Sequence, residues 1–355
     1  MGKSTLAAFL AMWVAIAALA YLVVREIGWV RLKKYWLALT VLVLALSALP
    51  AGAVFKLGAP YKDRILARLI PHHSPPVDLG AGCSVFPENN IWNARVRDLP
   101  LDANSSVYIQ SMGPDAPLHA DFSVPYAVTD GSDGVAEVAL SSDESDRGPY
   151  RIPDGAPIEG GGGDAHVIVL DRGACRLYEL FAAARVGHLS WQASSGAIFD
   201  LRSNRLRPEG WTSADAAGLP LFAGLVRYDE VKNGQIRHAL RFTTPHTRRA
   251  FVWPARHFAS SSNDPSLPSM GQRFRLRGSF DVSGLTPEAQ VILTALKDYG
   301  MFVSDNGGAW YLTGALDSNW NSRTIADLKR VTGSDFEAVD TSMLMVAPDS
   351  GEVRR

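Results

Sequence analysis

Two carboxylate–histidine pairs are the residues of this chain best suited, by type and spacing, to acid–base chemistry. His166 and Glu179 fall at matching positions on two strand-like runs, and so do Asp229 and His238. If each pair of runs forms a β-hairpin, each acid faces its histidine across the two strands. A carboxylate beside an imidazole raises its pKa and fixes its tautomer, as general acid–base catalysis requires. We therefore predict these four residues as catalytic, with metal binding as another use of the same side chains.

The pairing depends on three predicted hairpins. The first is closed by residues 171–174, the second by Asn233-Gly234, a type I′ turn signal, and the third by Asn306-Gly307. Strand alternation then places Glu230 on the solvated face of the second hairpin and Asp229 on its apolar face. The predicted facing residues are Leu170 and Cys175, Ile168 and Leu177, Val231 and Ile236, Leu225 and Phe242, and Val303 and Trp310.

Five further side chains are predicted to contact a substrate. Arg227 or Arg241 could clamp an anionic group, and Trp253 could stack on a sugar ring. His257 and Asp200 could join the same site. The structural alternative is that a buried acid–histidine pair is only a satisfied polar contact, and that aromatic side chains of β-proteins fill the core.

Other polar residues receive structural interpretations. Asp305, beside Asn306, indicates turn chemistry, and Asp215 is placed in the first turn of a short helix. The glycine run 160–163 lacks the lysine and the helix of a phosphate-binding loop, so it indicates a flexible turn. No motif of serine hydrolases, zinc proteases or paired-thiol redox enzymes occurs, and the sequence assigns no cofactor and no metal.

Composition limits the class of protein that carries these residues. The 355 residues have a formal net charge of −1, are 47% hydrophobic and only 20% charged. Disordered, collagen-like and coiled-coil chains are excluded, and no global positive field attracts nucleic acid. With two cysteines, neither a zinc ribbon nor an iron–sulfur cluster can be built from thiols.

Two apolar runs, 6–24 and 35–55, precede the residues discussed above. Each has the ~20 residues that a helix needs to cross a bilayer, so we predict a transmembrane hairpin within residues 1–55. The basic linker between the runs favours the cytoplasm, which places the rest of the chain in the periplasm or outside the cell membrane of a bacterium. Basic residues after the second run argue for the reverse, and cleavage after 51–53 stays open.

The remaining chain is predicted to form a tether (56–82), one β-rich soluble domain (83–345) and a polar tail (346–355). Short strand-like runs between turn clusters predict a β-rich fold, all-β or α+β, with antiparallel sheets arranged as a sandwich. A few peripheral helices are predicted, over 105–111, 287–299 and 325–330.

Cys83 and Cys175 both fall in the soluble part and are predicted to form a disulfide. Such a bond persists outside the cytoplasm and would fasten the start of the domain to its sheet. The alternative is two unrelated buried thiols.

Four blocks of the domain resemble a family of uncharacterised exported proteins of bacteria and some fungi. They run from Ser195 to Asn204, from Gly210 to Pro220, from Arg227 to Phe242 and from Tyr299 to Tyr311. The resemblance covers roughly residues 83–320 and implies export. It implies no established activity, so it supplies no catalytic residues, and the transmembrane hairpin departs from simple secretion.

The leading hypothesis is an envelope-anchored enzyme that cleaves a glycan by hydrolysis or elimination. Its basis is an exported β-rich domain with acid–histidine pairs on apolar faces and tryptophans able to stack on sugars. The alternative is a non-catalytic envelope protein that binds glycan or another membrane protein. That alternative requires the acid–histidine pairs to be buried away from any pocket.

Overall fold

A computed structural model describes residues 78–80, 82–160 and 164–354, all within one unit that extends from Pro71 to Arg355. The predicted transmembrane runs 6–24 and 35–55 and most of the tether lie outside the described residues. None of the helices within the described part has the length and apolar character that a bilayer crossing requires.

The described residues form a β-rich fold with several sheets and few helices. The strands are β1 (Asp78–Gly80), β2 (Cys83–Ser84), β3 (His119–Val124), β4 (Ala127–Thr129), β5 (Glu137–Leu140), β6 (Val167–Asp171), β7 (Arg176–Phe181), β8 (Ala184–Gly187), β9 (Ser190–Ala193), β10 (Ser195–Asp200), β11 (Leu240–Thr244), β12 (Arg273–Leu276), β13 (Met301–Asn306), β14 (Tyr311–Ala315) and β15 (Phe336–Val339). The α-helices are α1 (Ser105–Met112), α2 (Tyr228–Lys232), α3 (Pro287–Asp298) and α4 (Ser322–Leu328).

The largest sheet has six strands in the order β15-β12-β13-β11-β14-β3. It is mixed, because β11 is parallel to β13 and β14 is parallel to β3, while the other pairs are antiparallel. The prediction of antiparallel sheets therefore holds only in part. β11 consists of Leu240–Thr244, and its central Phe242 is fully buried between aromatic rings of β12 and the β13–β14 connection.

The four-stranded sheet, in the order β10-β7-β6-β4, separates two apolar cores. All five residues of β6 are buried, as expected for a strand covered on both faces. Ile168 and Leu170 face the larger core, shared with the six-stranded sheet, while Val167 and Val169 face a smaller core. The smaller core is closed by Trp191 of the three-stranded sheet β5-β9-β8.

The first predicted hairpin forms, but its register differs from the prediction by two residues. β6 and β7 are antiparallel, with Ile168 opposite Glu179 and Leu170 opposite Leu177. The turn begins one residue later than predicted, because the Asp171 carboxylate accepts the backbone N–H of Ala174 and the strand resumes only at Arg176. A shift of two residues leaves every side chain on its predicted face but changes its partner.

The second predicted hairpin is wrong. Residues 228–232 form helix α2, and Asn233-Gly234 ends that helix instead of turning a hairpin. Gly234 has a φ of 80° and donates its N–H to the carbonyl of Val231, as a glycine does at a helix C-terminus. The helical period of 3.6 residues buries Glu230 and Val231 and leaves Asp229 exposed, which reverses the predicted faces of both acids.

The third predicted hairpin is also wrong. β13 and β14 follow each other in the chain, but β11 lies between them in the sheet. Val303 pairs with Phe242 of β11 and not with Trp310. Hydrogen bonds to a central strand replaced the local pairing that Asn306-Gly307 suggested.

The predicted helices and disulfide agree better with the structure. α1 and α3 each end within one residue of their predicted bounds, and Ile292 and Leu296, on the predicted apolar stripe of α3, are fully buried. α4 begins three residues earlier than predicted, where the Asn321 side chain caps its first turn. Cys83 and Cys175 form a disulfide with 5.5 Å between their Cα atoms, which confirms that prediction.

Residues 346–354, predicted as a polar tail, pack against the domain. Val353 is buried and donates its N–H to the carbonyl of Asn89, while Ser350 and Glu352 bridge to Arg205 and Asn90. Burial of the apolar Val353 side chain gives this segment its attachment.

Candidate functional site

The structure separates the residues that were predicted to act together. The two predicted pairs, Asp229 with His238 and His166 with Glu179, do not form. His238 contacts Glu230, with 3.1 Å between Nε2 and Oε2, and His166 contacts Glu159, with 2.6 Å between Nδ1 and Oε2. Each histidine has a carboxylate partner, as expected, but in both cases a different one.

The contacts around His238 form a buried cluster that we call the core network, consisting of Arg227, Glu230 and His238. Arg227 reaches Glu230 at 2.9 Å and donates to the carbonyl of Phe222 at 2.8 Å. Burial alone would raise the pKa of Glu230, but the charges of Arg227 and His238 outweigh it and lower that pKa. Every charged group here is matched inside the protein, so removing one partner would leave another buried and uncompensated.

The contacts around His166 form a second cluster that we call the wall network, consisting of Glu159, His166 and the carbonyl of Ala214. The Nε2 atom of His166 lies 2.9 Å from that carbonyl oxygen. Burial alone would lower the pKa of His166, but the bond to Glu159 outweighs it and raises the pKa. Both ring nitrogens face oxygen acceptors, so the doubly protonated imidazolium satisfies both bonds.

Ala214, held by the wall network, lines a cavity of about 470 Å³ at the meeting of several loops and strand ends. Its wall carries many hydroxyl groups. The hydroxyl-bearing residues are Ser141, Ser142, Ser194, Ser195, Thr212 and Ser213. The ionisable residues on the same wall are Asp164, His257 and Asp305. The volume lies within the ~300–1,000 Å³ of small-molecule sites.

Asp305 reaches this wall because of an irregularity in the six-stranded sheet. Phe242 pairs with Val303, but the next residue of β11, Thr243, pairs with Asp305, so Ser304 is an extra residue in β13. Such a bulge redirects the side chains that follow it, and bulges are frequent beside functional sites. Asp305 then accepts the N–H of Asn306 at 2.7 Å and lines the cavity.

Burial, followed by the charge of Asp215, raises the pKa of Asp305 to about 7. Arg241 acts in the opposite direction, and Asp164 adds to the increase. A carboxyl group with this pKa carries a proton for much of the time at neutral pH, as a general acid must. The expectation that Asp305 serves only turn chemistry is therefore incomplete.

The loop that contributes Thr212–Ala216 is braced by buried charges. Asp215 is buried, pairs with Arg241 at 3.0 Å and accepts the N–H of Ala217 at 3.0 Å. Arg241 also donates to the hydroxyl of Thr313 at 2.7 Å. Burial raises the pKa of Asp215, and Arg241 opposes that increase. Asp215 is thus a loop anchor and does not belong to a helix.

The same loop needs a glycine where it turns back. Gly218 has a φ of 71°, and a Cβ at this position would lie 2.5 Å from the carbonyl oxygen of Trp211. No other residue type fits there without displacing the loop.

His257 is the predicted substrate contact that the structure places in the cavity. Its Nδ1 donates to the carbonyl of Ala216 at 2.9 Å, and its Nε2 lies 3.7 Å from the Glu144 carboxylate. The same carboxylate accepts the N–H of Thr212 at 3.0 Å, so Glu144 braces the loop beside the imidazole.

The other predicted site residues lie elsewhere. Trp253 donates its indole N–H to the carbonyl of Ser350 at 2.8 Å, and Asp200 is exposed and accepts the N–H of Arg202 in a turn. Arg227 and Arg241 are both buried in ion pairs with acids of the protein. Glu179 is fully buried and accepts the N–H groups of Leu221 and Phe222, and its burial raises its pKa to about 7.

Sequence reasoning missed Glu159, Asp164 and the serines because no motif marks them. Within the residues that the structure describes, no group of three or more His, Cys, Asp or Glu side chains is arranged to hold a metal ion. No family model, no curated protein and no solved structure matches this chain. The cavity's own geometry therefore carries the functional argument.

Proposed function

We propose that this protein is an exported, membrane-anchored enzyme that acts on a glycan in the cavity beside Asp305. The supporting observation is a small cavity whose wall combines hydroxyl groups, an imidazole and a carboxyl group held near neutral pKa. A hydroxyl that already donates to a backbone carbonyl, as those of Ser195 and Ser213 do, can still accept a hydrogen bond from a sugar hydroxyl.

Asp305 is the proposed general acid, and it replaces Asp229 and Glu179 of the initial hypothesis. Asp229 is exposed on α2, and Glu179 is fully buried against backbone amides, so neither can meet a substrate in this cavity. Asp164 shares the cavity wall and is the proposed second carboxylate. A pair of carboxyl groups is the usual equipment for cleaving a glycosidic bond.

Anchoring is proposed through the two apolar runs 6–24 and 35–55, with the soluble domain in the periplasm or outside the cell. The disulfide between Cys83 and Cys175 supports this side of the membrane, because such bonds rarely persist in the cytoplasm. Alkylation of unfolded protein from its native membrane should label neither thiol until a reductant is added. Labelling of both thiols without reductant would contradict the proposed orientation.

The activity is tested with full-length protein in detergent against a broad panel of wall and plant glycans. New reducing ends report hydrolysis, and unsaturated products report elimination. We expect turnover of at least one glycan, and Asp305→Asn should slow it by ~10²–10⁴-fold, as expected for loss of a general acid. Asp115→Asn removes one exposed carboxylate outside the cavity and serves as the matched control.

The second candidate is a non-catalytic envelope protein that binds a glycan or another membrane protein. It is favoured by the hydroxyls of Ser195 and Ser213, which donate to backbone carbonyls and so brace the cavity wall. In that case Asp305→Asn would leave ligand affinity nearly unchanged, and the whole glycan panel would remain intact in the activity assay.

A further inference from the structure

The charged groups on the wall of the cavity are predominantly acidic. Asp164 and Asp305 are carboxylic acids, and the described lining residues include no lysine and no arginine. The remaining ionisable group, His257, has its Nε2 atom 3.7 Å from the carboxylate of Glu144. An anionic substrate would therefore meet negative charge without a facing guanidinium or ammonium group.

The cations behind the wall are already neutralised. Arg241 pairs with the buried Asp215 at 3.0 Å, and its Nη1 donates to Thr313. His166 is held between Glu159 and the carbonyl of Ala214. To bind an anion, either cation would have to abandon a buried carboxylate, which would then be left without its partner.

We infer that the cavity takes a sugar that bears no anionic group, and that the reaction is hydrolysis and not elimination from a uronate. This inference rests on the proposed function and narrows its substrate class. Elimination removes a proton next to the uronate carboxylate, and the charge that develops there must be stabilised by cations or strong donors aimed at it. The described lining offers neither lysine nor arginine for that charge and places carboxyl groups there instead.

Hydrolysis uses the groups that the cavity does present. Asp305 gives its proton to the glycosidic oxygen as the bond from that oxygen to the sugar carbon breaks. A water oxygen forms the new bond to that carbon, and Asp164 accepts the proton that the water loses. The two products together contain the atoms of the substrate and of one water molecule, and no oxidant, reductant or cofactor is consumed. Asp164 then releases its proton to solvent and Asp305 takes one up, which restores both carboxyl groups.

The test uses paired oligosaccharides from several backbones, each as the free uronate and as its methyl ester, so that the members differ only in charge. Binding to the full-length protein in detergent is measured by calorimetry at low and at high salt. We expect the ester of at least one pair to bind roughly tenfold tighter or more, because like charges repel at short range. High salt should narrow this difference in affinity, because ions screen the repulsion between the charges.

Two matched variants test whether the charge of Asp164 weakens the binding of the free uronates. Asp164→Asn should narrow the difference in affinity between the ester and the free acid. Asp115 is exposed and lies outside the cavity, so Asp115→Asn should leave that difference unchanged. Equal or tighter binding of the free uronates, or products that carry a double bond, would overturn this inference while leaving a glycan site in place. If no carbohydrate of any pair binds and the whole glycan panel of the activity assay also stays intact, the proposed function itself fails and the inference fails with it.

Discussion

The core network and the wall network contain the same pair of residue types in different surroundings. In the core network, Glu230 and His238 share the guanidinium of Arg227, and all three side chains are buried. In the wall network, the third partner of Glu159 and His166 is a backbone carbonyl that belongs to the cavity lining. The two pairs therefore differ in their third partner, which is a buried guanidinium in the core network and a carbonyl of the cavity lining in the wall network.

The two networks are joined by one short segment. Glu179 accepts the N–H groups of Leu221 and Phe222, and the carbonyl of Phe222 accepts a bond from Arg227. The charge of His166 also acts on Glu179. Substitutions in each network therefore test how far an effect on folding reaches the cavity.

The largest effect is expected from Glu230→Gln in the core network. The buried Arg227 would lose its counter-charge, and breaking a buried ion pair in this way costs about 3–5 kcal/mol of unfolding free energy. Urea unfolding of the variant measures the loss, and ligand affinity at the cavity should not change. A loss below about 1 kcal/mol would show that this network contributes little to the fold.

The next largest effect concerns pH and Glu179, which lies between the networks. Its pKa rises from 4.5 to about 7 on folding, so the folded state binds a proton that the unfolded chain has released. This contribution to stability is complete below about pH 4.5 and is lost as pH rises toward 7, a total of roughly 3 kcal/mol. Urea unfolding at several pH values should show a decline that is roughly 3 kcal/mol smaller in Glu179→Gln than in wild type. A decline remains in both proteins because the pKa of Asp305 is also raised on folding. If the unfolding free energies of the two proteins changed in parallel with pH, the raised pKa of Glu179 would be contradicted.

A smaller effect on stability, but a selective effect on binding, is expected from His166→Gln in the wall network. One unsatisfied acceptor, at Glu159 or Ala214, costs about 1–3 kcal/mol. Because Ala214 lines the cavity, ligand affinity should also fall. His238→Gln is the matched control, since it removes a histidine from the core network and should leave affinity unchanged. If both variants lose ligand affinity equally, the wall network is no more closely tied to the cavity than the core network is.

The smallest effect is expected from Asp229→Asn. Asp229 is exposed on α2, so the unfolding free energy should change by less than about 0.5 kcal/mol. Turnover should equal that of wild type, because the residue lies outside the cavity lining. A large loss of activity would return Asp229 to the catalytic role that its sequence position first suggested.

Sequence patterns predicted features that depend on short stretches of chain. The apolar spacing of α3 placed it correctly, and β6 and β7 form the expected hairpin with each side chain on its predicted face. Predictions were wrong where one sequence signal is compatible with two local structures. Asn233-Gly234 is as suitable for ending a helix as for turning a hairpin, and only packing of Glu230 and Val231 into the core selected the helix.

The sequence by itself determined the β-rich class, the main helices and the pairing of the two cysteines, because these follow from residue periodicity and from a small number of options. Only the tertiary structure decided which acid meets which histidine. It also inserted β11 between β13 and β14 and brought Asp305 and Ser213 to one cavity. These contacts join residues far apart in the chain, and their free energy depends on burial and on long-range hydrogen bonds that no local pattern encodes.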